Sequence, residues 1–88
     1  DPPFLPGDPL QGYMTLTCLG NGIFILKRGQ RFHVVRRRYS TYFATMSLSW
    51  LRTDATWVVN PTHKKPGFNS RADAEVALAK LALLEQNS

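Results

Sequence analysis

The sequence is poor in cysteine and histidine, from which metal centres, disulfides and many nucleophilic sites are built. Its 88 residues include one Cys, at position 18, and two His, at positions 33 and 63. A single Cys allows no internal disulfide, and no Cys or His spacing fits a zinc site. We therefore expect no metal and no cofactor, and a reducing intracellular location, whether cytoplasm, nucleoid or nucleus.

Long apolar runs, paired carboxylates and glycine-rich phosphate loops are also missing. The uncharged stretches 10–26 and 39–51 are interrupted by Gly, Ser, Thr or Asn, whereas a membrane-spanning helix needs about 20 mostly apolar residues. No nucleophile motif occurs, and Asp54 is the one acid in the middle of the chain. The sequence therefore predicts neither a membrane protein nor an enzyme, and it offers no catalytic residues.

Proline is scarce outside the N-terminus, since four of the six Pro fall within the first twelve residues. Proline fixes φ and removes a backbone donor, so residues 1–12 are predicted to form an extended arm. Residues 13–88 are then one small domain, because a chain of this length builds a single core.

Alternating apolar and polar residues, separated by Gly-containing or polar turns, predict strands over 13–19, 23–27, 31–38, 42–51 and 56–60. A helix is predicted from Ser70 to about Gln86, with Ser70 as its cap and Arg71 paired with Glu75. The predicted fold is α+β, an antiparallel sheet of four to five strands with one C-terminal helix packed across one face.

The cleanest alternation predicts which face the helix covers. Ala44, Met46, Leu48 and Trp50 point one way, so this face is expected to pack on the helix, with Trp50 against Leu78. The other face is expected to be open and polar. It would carry Arg31, His33, Arg37, Thr45, Ser47 and Ser49.

The helix has two apolar stripes, which is more than one sheet face can cover. The wider stripe holds Ala74, Ala77, Leu78, Leu81 and Leu84, and the narrower one Ala72, Val76, Ala79 and Leu83. The N-terminal arm, through Phe4 and Leu5, or the long loop 61–69 is expected to cover the narrower stripe. The alternative is a partner or a homodimer formed through the C-terminal helix.

Charge is distributed very unevenly along the chain. Residues 27–71 hold ten of the eleven Lys and Arg and one of the six acids, which gives this segment +9 in a chain of net +5. A block of one sign indicates an anionic partner, although a basic surface can also serve solubility alone. Arg is the more frequent of the two bases, and its planar fork suits phosphate and guanine edges.

These features favour a non-enzymatic nucleic-acid-binding domain, for duplex DNA rather than RNA, that uses the basic open face of the sheet. The alternative is a small protein-interaction module or regulator that binds an acidic protein surface. The candidate nucleic-acid-binding residues are Lys27, Arg28, Arg31, His33, Arg36, Arg37, Arg38, Arg52, Lys64 and Lys65.

The order of hairpin, third strand, polar loop and helix also resembles a known class. The segments that carry the resemblance are Gly22-Ile23-Phe24, Lys27-Arg28-Gly29 and Phe68-Asn69-Ser70-Arg71-Ala72-Asp73-Ala74-Glu75. Over roughly residues 22–86 the chain resembles the three-stranded-sheet-plus-helix DNA-binding domains of the plant AP2 type and the arm-binding domains of phage tyrosine recombinases. The resemblance implies a sheet in the major groove, with contacts from Arg28, Arg31, Arg37 and Arg52. The chain departs from the class by its extra first strand and by lacking the AP2 pattern of Trp and Gly.

Overall fold

A computed structural model describes residues 10, 12–40, 45–59, 61 and 64–86 of the chain. It contains five antiparallel strands and one helix, which confirms the predicted α+β class. The predicted residues 42–44 of the fourth strand, and Phe4 and Leu5 of the arm, lie outside the described residues. The elements are β1 (Met14–Gly20), β2 (Ile23–Arg28), β3 (Arg31–Ser40), β4 (Thr45–Leu51), β5 (Trp57–Val59) and α1 (Arg71–Gln86).

The strands follow each other in the sheet in the order of the chain. The β1–β2 turn depends on Gly22, whose φ of 76° favours glycine and whose carbonyl accepts from the Arg37 amide at 2.8 Å. A Cβ at Gly22 would fall on the carbonyl oxygen of Arg37, so no other residue fits without a shift. The β2–β3 turn likewise has Gly29 at a φ of 61°.

The helix packs on the sheet face formed by the odd-numbered residues of β2 and β4 and the even-numbered residues of β3. Its buried Ala74 and Ala77 are small, which lets the helix backbone approach the sheet closely. Phe68, just before the helix, is 3% exposed and fills the same core. The sheet residues of this core are Ile25, Val34 and Leu51, with Ile23, Phe32 and Trp57 at its border.

The prediction that the helix covers Leu48 and Trp50 is wrong. These side chains point to the opposite face, where they form a second core with Leu10, Tyr13, Leu26 and Val35. Trp50 therefore does not meet Leu78, which borders the helix-side core. The physical reason is that β2 and β3 carry apolar side chains on both faces, so the pattern of β4 alone could not show which face takes the helix.

The segment before the helix extends the sheet beyond the end of β4. Phe68 and Phe32 exchange two backbone hydrogen bonds, of 2.9 and 2.7 Å, so this segment pairs with the first part of β3. The chain after Leu51 turns away through residues 52–56, where the Arg52 amide donates to the Thr56 carbonyl at 2.8 Å. Residues 64–69 therefore lie against the start of β3.

The helix begins as predicted and leaves its second stripe exposed. The Ser70 hydroxyl accepts from the Asp73 amide at 3.1 Å, and Arg71 pairs with Glu75 at 3.3 Å. Val76 and Leu83 of the narrower stripe are 66% and 61% exposed. Leu10, the one residue of the first eleven that the structure describes, is buried on the opposite face of the sheet instead.

Within the described part of the chain, the structure has no helix with the length and apolar character needed to span a membrane.

Candidate nucleic-acid interface

The predicted polar grid does not lie on one face of the sheet. The register of β3 and β4 pairs Arg36 with Ser49 and Arg38 with Ser47, on the side where the helix packs. Arg31, His33 and Arg37 point to the other side, where Arg37 is opposite Leu48. The candidate residues are therefore divided between the two faces, and the side chain of Thr45 lies outside the described residues.

Three rings meet on the face opposite the helix. Tyr13, His33 and Trp50 contact each other edge to face, with centroids 5.3 to 5.7 Å apart, and we call them the aromatic triad. Trp50 is 1% exposed and Tyr13 is 8% exposed. The triad brings together the start of the domain, β3 and β4, and it forms part of the second core.

His33 is a buried residue of this triad. The structure puts its Nδ1 2.8 Å from the carbonyl oxygen of Pro66, which can only accept, so Nδ1 carries the proton in the neutral ring. Burial lowers the pKa of His33 below its ordinary value of 6.5, the hydrogen bond to Pro66 opposes this, and the charges of Arg31, Lys65 and Arg28 lower it further. With 7% of its surface exposed, the side chain offers little area to a phosphate.

Three cations surround the triad, and we call them the cationic rim: Arg28, Arg31 and Lys65. The Arg28 guanidinium lies 5.2 Å from the Tyr13 ring centre, and the Lys65 ammonium 5.6 Å from that of Trp50. Arg31 donates from Nη1 to Asn69 Oδ1 at 2.9 Å. The three charged side chains that lower the pKa of His33 are therefore all cations. Arg28 and Arg31 flank the β2–β3 turn, and Lys65 lies in the loop before the helix.

The loop is held against β3 by a close backbone approach at Gly67. A Cβ at this position would lie 2.8 Å from Cε1 of His33 and 3.1 Å from Nη2 of Arg31. Only glycine fits this space without moving a buried ring. Gly67 thus keeps Lys65 and Asn69 close to the start of β3.

Three other candidate bases lie on the helix side of the sheet. Lys27 lies 5.4 Å from the ring centre of Phe32, and Arg36 lies 4.3 Å from that of Trp57. Burial lowers the pKa of Arg36, Arg38 lowers it further, and Glu85 raises it. The Arg36 Nε is buried without a hydrogen-bond partner among the described residues. Arg38 itself is exposed.

The remaining candidates are dispersed. Arg37 is half-buried beside the β1–β2 turn, and Lys64 is exposed next to Lys65. Arg52 is exposed in the β4–β5 turn near Asp54. The Thr56 hydroxyl donates to Asp54 and holds the pKa of that carboxyl below its usual range, with a smaller contribution from Arg52.

A groove of about 470 Å³, lined by both polar and apolar side chains, adjoins the rim between the start of β3 and the helix. Arg31 and Lys80 give it positive charge, Asp73 negative charge, and Asn69 and Thr53 hydrogen-bonding groups. Among the described residues no group of three or more His, Cys, Asp or Glu side chains could hold a metal ion. Cys18 is a free, exposed thiol.

Sequence reasoning missed the aromatic triad as an arrangement and the parts played by Gly67 and Asn69. Tyr13, His33 and Trp50 are far apart in sequence, so no local pattern links them. The signal that could have been used is Gly67 between Pro66 and Phe68, because an isolated glycine next to a bulky apolar residue often marks a close backbone approach.

Comparison of the chain with protein families, with curated proteins and with solved structures gives no significant match in any of the three. The resemblance to AP2-type and arm-binding domains therefore stays a prediction.

Proposed function

We propose that the domain is a non-enzymatic nucleic-acid-binding module that binds duplex DNA through the β2–β3 hairpin and the cationic rim. The observation that carries this proposal is the convergence of Arg28, Arg31 and Lys65 around one buried aromatic cluster. Like charges held close together repel each other, and an anionic partner relieves that repulsion. The polyanionic backbone of a duplex is such a partner.

The length of β3 supports a duplex. The β2–β3 hairpin is flanked by β1 and β4 in the sheet, so it would contact a duplex through its turn and one sheet face and would not enter a groove as a two-stranded ribbon. From Arg31 to Arg38, strand β3 extends about 23 Å at roughly 3.3 Å per residue. This length corresponds to about seven base pairs at 3.4 Å per step. On the face opposite the helix, Arg31 and Arg37 can therefore reach phosphates several steps apart.

The burial of Trp50 and Tyr13 favours duplex over single strands. Readers of single-stranded RNA or DNA stack bases on exposed rings of the sheet. Here Trp50 and Tyr13 are buried in the second core, so their faces are not offered to bases. Charged side chains at the border of the rings remain for phosphate contacts, which fix position without reading sequence.

We divide the candidate residues by role. Arg28, Arg31 and Lys65 make the central contacts, while buried His33 positions the loop that carries Lys65. Arg36 has a structural role, because its guanidinium packs on the Trp57 ring of β5. Outer phosphate contacts come from Lys27, Arg37, Arg38, Arg52 and Lys64. Such a function is performed inside the cell, in the cytoplasm, nucleoid or nucleus.

Variants of the rim test this assignment. We expect Arg28→Ala and Lys65→Ala each to weaken binding of unrelated duplex sequences by a similar factor and to lower the salt slope by about one unit. Arg71→Ala is the matched control, because it removes one positive charge that already pairs with Glu75. If Arg71→Ala weakens binding as much as the rim variants do, net charge rather than the rim explains the affinity.

The second candidate function is a protein-interaction module that binds an acidic protein surface. The observation in its favour is the same cationic rim, which would contact the acidic surface, while the exposed apolar stripe on α1 would serve assembly. The two functions differ in their response to free duplex. Tight, salt-sensitive duplex binding supports the first, and its absence at low salt supports the second.

A further inference from the structure

The side of α1 that faces away from the sheet carries apolar residues where a surface helix normally carries polar ones. Val76 and Leu83 are 66% and 61% exposed there, and Ala72 and Ala79 are exposed as well. At about 100° per residue, this stripe is centred about 160° from the buried Ala74 and Ala77, and its Val76 borders the groove beside the start of β3. It therefore lies opposite the contact with the sheet and is accessible to another molecule.

The spacing of the stripe is that of a helix pair. Ala72, Val76, Ala79 and Leu83 follow each other at intervals of four, three and four residues, which is the a and d pattern of a coiled coil. In this register Val76 and Leu83 take the a positions. The flanking positions g and e are then Glu75 and Lys80, and both are exposed.

We propose that α1 pairs in parallel with α1 of a second copy of the chain along this stripe. In a parallel pair, position g contacts position e of the other helix five residues further on. Glu75 would therefore meet Lys80 of the second copy, and Lys80 would meet its Glu75. One helix supplies both charges, so the surface is complementary to itself.

The charge distribution of the whole chain also favours a copy at this surface. The helix carries two bases and three acids, a net charge of −1, whereas the other residues sum to +6. Electrostatic repulsion between two copies is therefore smallest when they approach through α1. The Arg71–Glu75 pair does not prevent this, because it is exposed and such pairs contribute little.

Sedimentation equilibrium of the chain without nucleic acid tests the proposal, and its result does not depend on the proposed function. We expect a monomer–dimer equilibrium between roughly micromolar and millimolar concentration. Leu83→Glu should raise the dissociation constant at least about tenfold while its thermal melt stays cooperative. Leu84→Glu is the matched control, because Leu84 is 52% exposed but lies outside the stripe.

A charge exchange tests the register. Glu75→Lys and Lys80→Glu alone should each weaken the dimer, because each places like charges at the g–e contact, and the double variant should restore it. Arg71→Ala controls for the lost pair within the helix. A chain that stays monomeric at all concentrations overturns the proposal. Dimerisation unaffected by Leu83→Glu, a missing rescue, or unfolding of the Leu83→Glu variant would also overturn it.

Discussion

His33 contacts both the second core and the cationic rim. Its ring contacts Tyr13 and Trp50, its Nδ1–H donates to Pro66, and three cations lie near it. A protonated ring would add a fourth positive charge in a buried position. The neutral form is therefore the one that the fold requires.

We expect the stability of the domain to fall below neutral pH because of His33. Its pKa is lower in the folded state than the ordinary value of 6.5, so the unfolded state binds the proton more tightly. The contribution of His33 is complete above about pH 6.5 and is lost as the pH falls from there towards the lowered pKa. Urea unfolding at about pH 8 and about pH 5.5 measures the loss.

The control for this measurement is His33→Gln, which cannot titrate. It should be less stable at high pH, and its free energy of unfolding should change less between the two pH values. A wild-type protein with the same pH dependence as His33→Gln would contradict the placement of a neutral, buried imidazole.

Gly67 offers a second test at the scale of one residue. We expect Gly67→Ala to destabilise the domain by about 1–3 kcal/mol, because the new Cβ would overlap the buried His33 ring. Gly29→Asn is the control, since no atom lies within 4 Å of a Cβ there and Asn tolerates its positive φ. Chemical denaturation should rank Gly67→Ala as the more destabilising; equal losses would mean that the loop does not pack on His33.

At the scale of the elements, the sheet has an apolar core on each face. The helix and Phe68 cover one core, while Leu10 and Tyr13 contribute to the other. A strand such as β4 therefore contacts two separate groups of neighbours through Trp50 and Leu51. Changes on the two faces should act independently.

A pair of double-mutant cycles tests this division. We expect Trp50→Phe and Leu78→Ala to be additive within about 0.5 kcal/mol, because the two residues belong to different cores. Trp50→Phe and Val35→Ala should couple by more than about 0.5 kcal/mol, since these residues are cross-strand neighbours. If Trp50 and Leu78 couple by the same amount, the helix packs on the sheet face that carries Trp50, and the described placement is wrong.

Much of the element pattern could be predicted because it is local. The helix start follows from the Ser70 cap, and the first turns follow from glycines at positive φ. The face covered by the helix could not be predicted, because Phe24, Ile25 and Leu26 in β2 are all apolar and fit a core on either side. That choice depends on the Phe32–Phe68 pairing, which joins distant segments.

For the molecule as a whole, the sequence shows where the basic residues lie along the chain but not how they are arranged in space. Counting along the chain identified residues 27–71 as basic. Alternation alone then placed Ser47 and Ser49 beside Arg31 and Arg37, whereas the register puts them beside Arg38 and Arg36. The convergence of Lys65 with Arg28 required the tertiary structure, because it depends on the path of residues 64–69.

The uneven charge of the molecule is the basis of the proposed function, and it leads to the most direct test. Titration of the wild-type chain with a random-sequence duplex should give an affinity that falls steeply with salt. If the three rim cations each neutralise one phosphate, they alone give a slope of about −2.7 and an affinity loss of about 40-fold between roughly 50 and 200 mM salt, and each outer contact makes the slope steeper. A shallower slope would mean fewer contacts than the rim provides. Absence of binding at the lower salt, or an affinity independent of salt, would contradict the account.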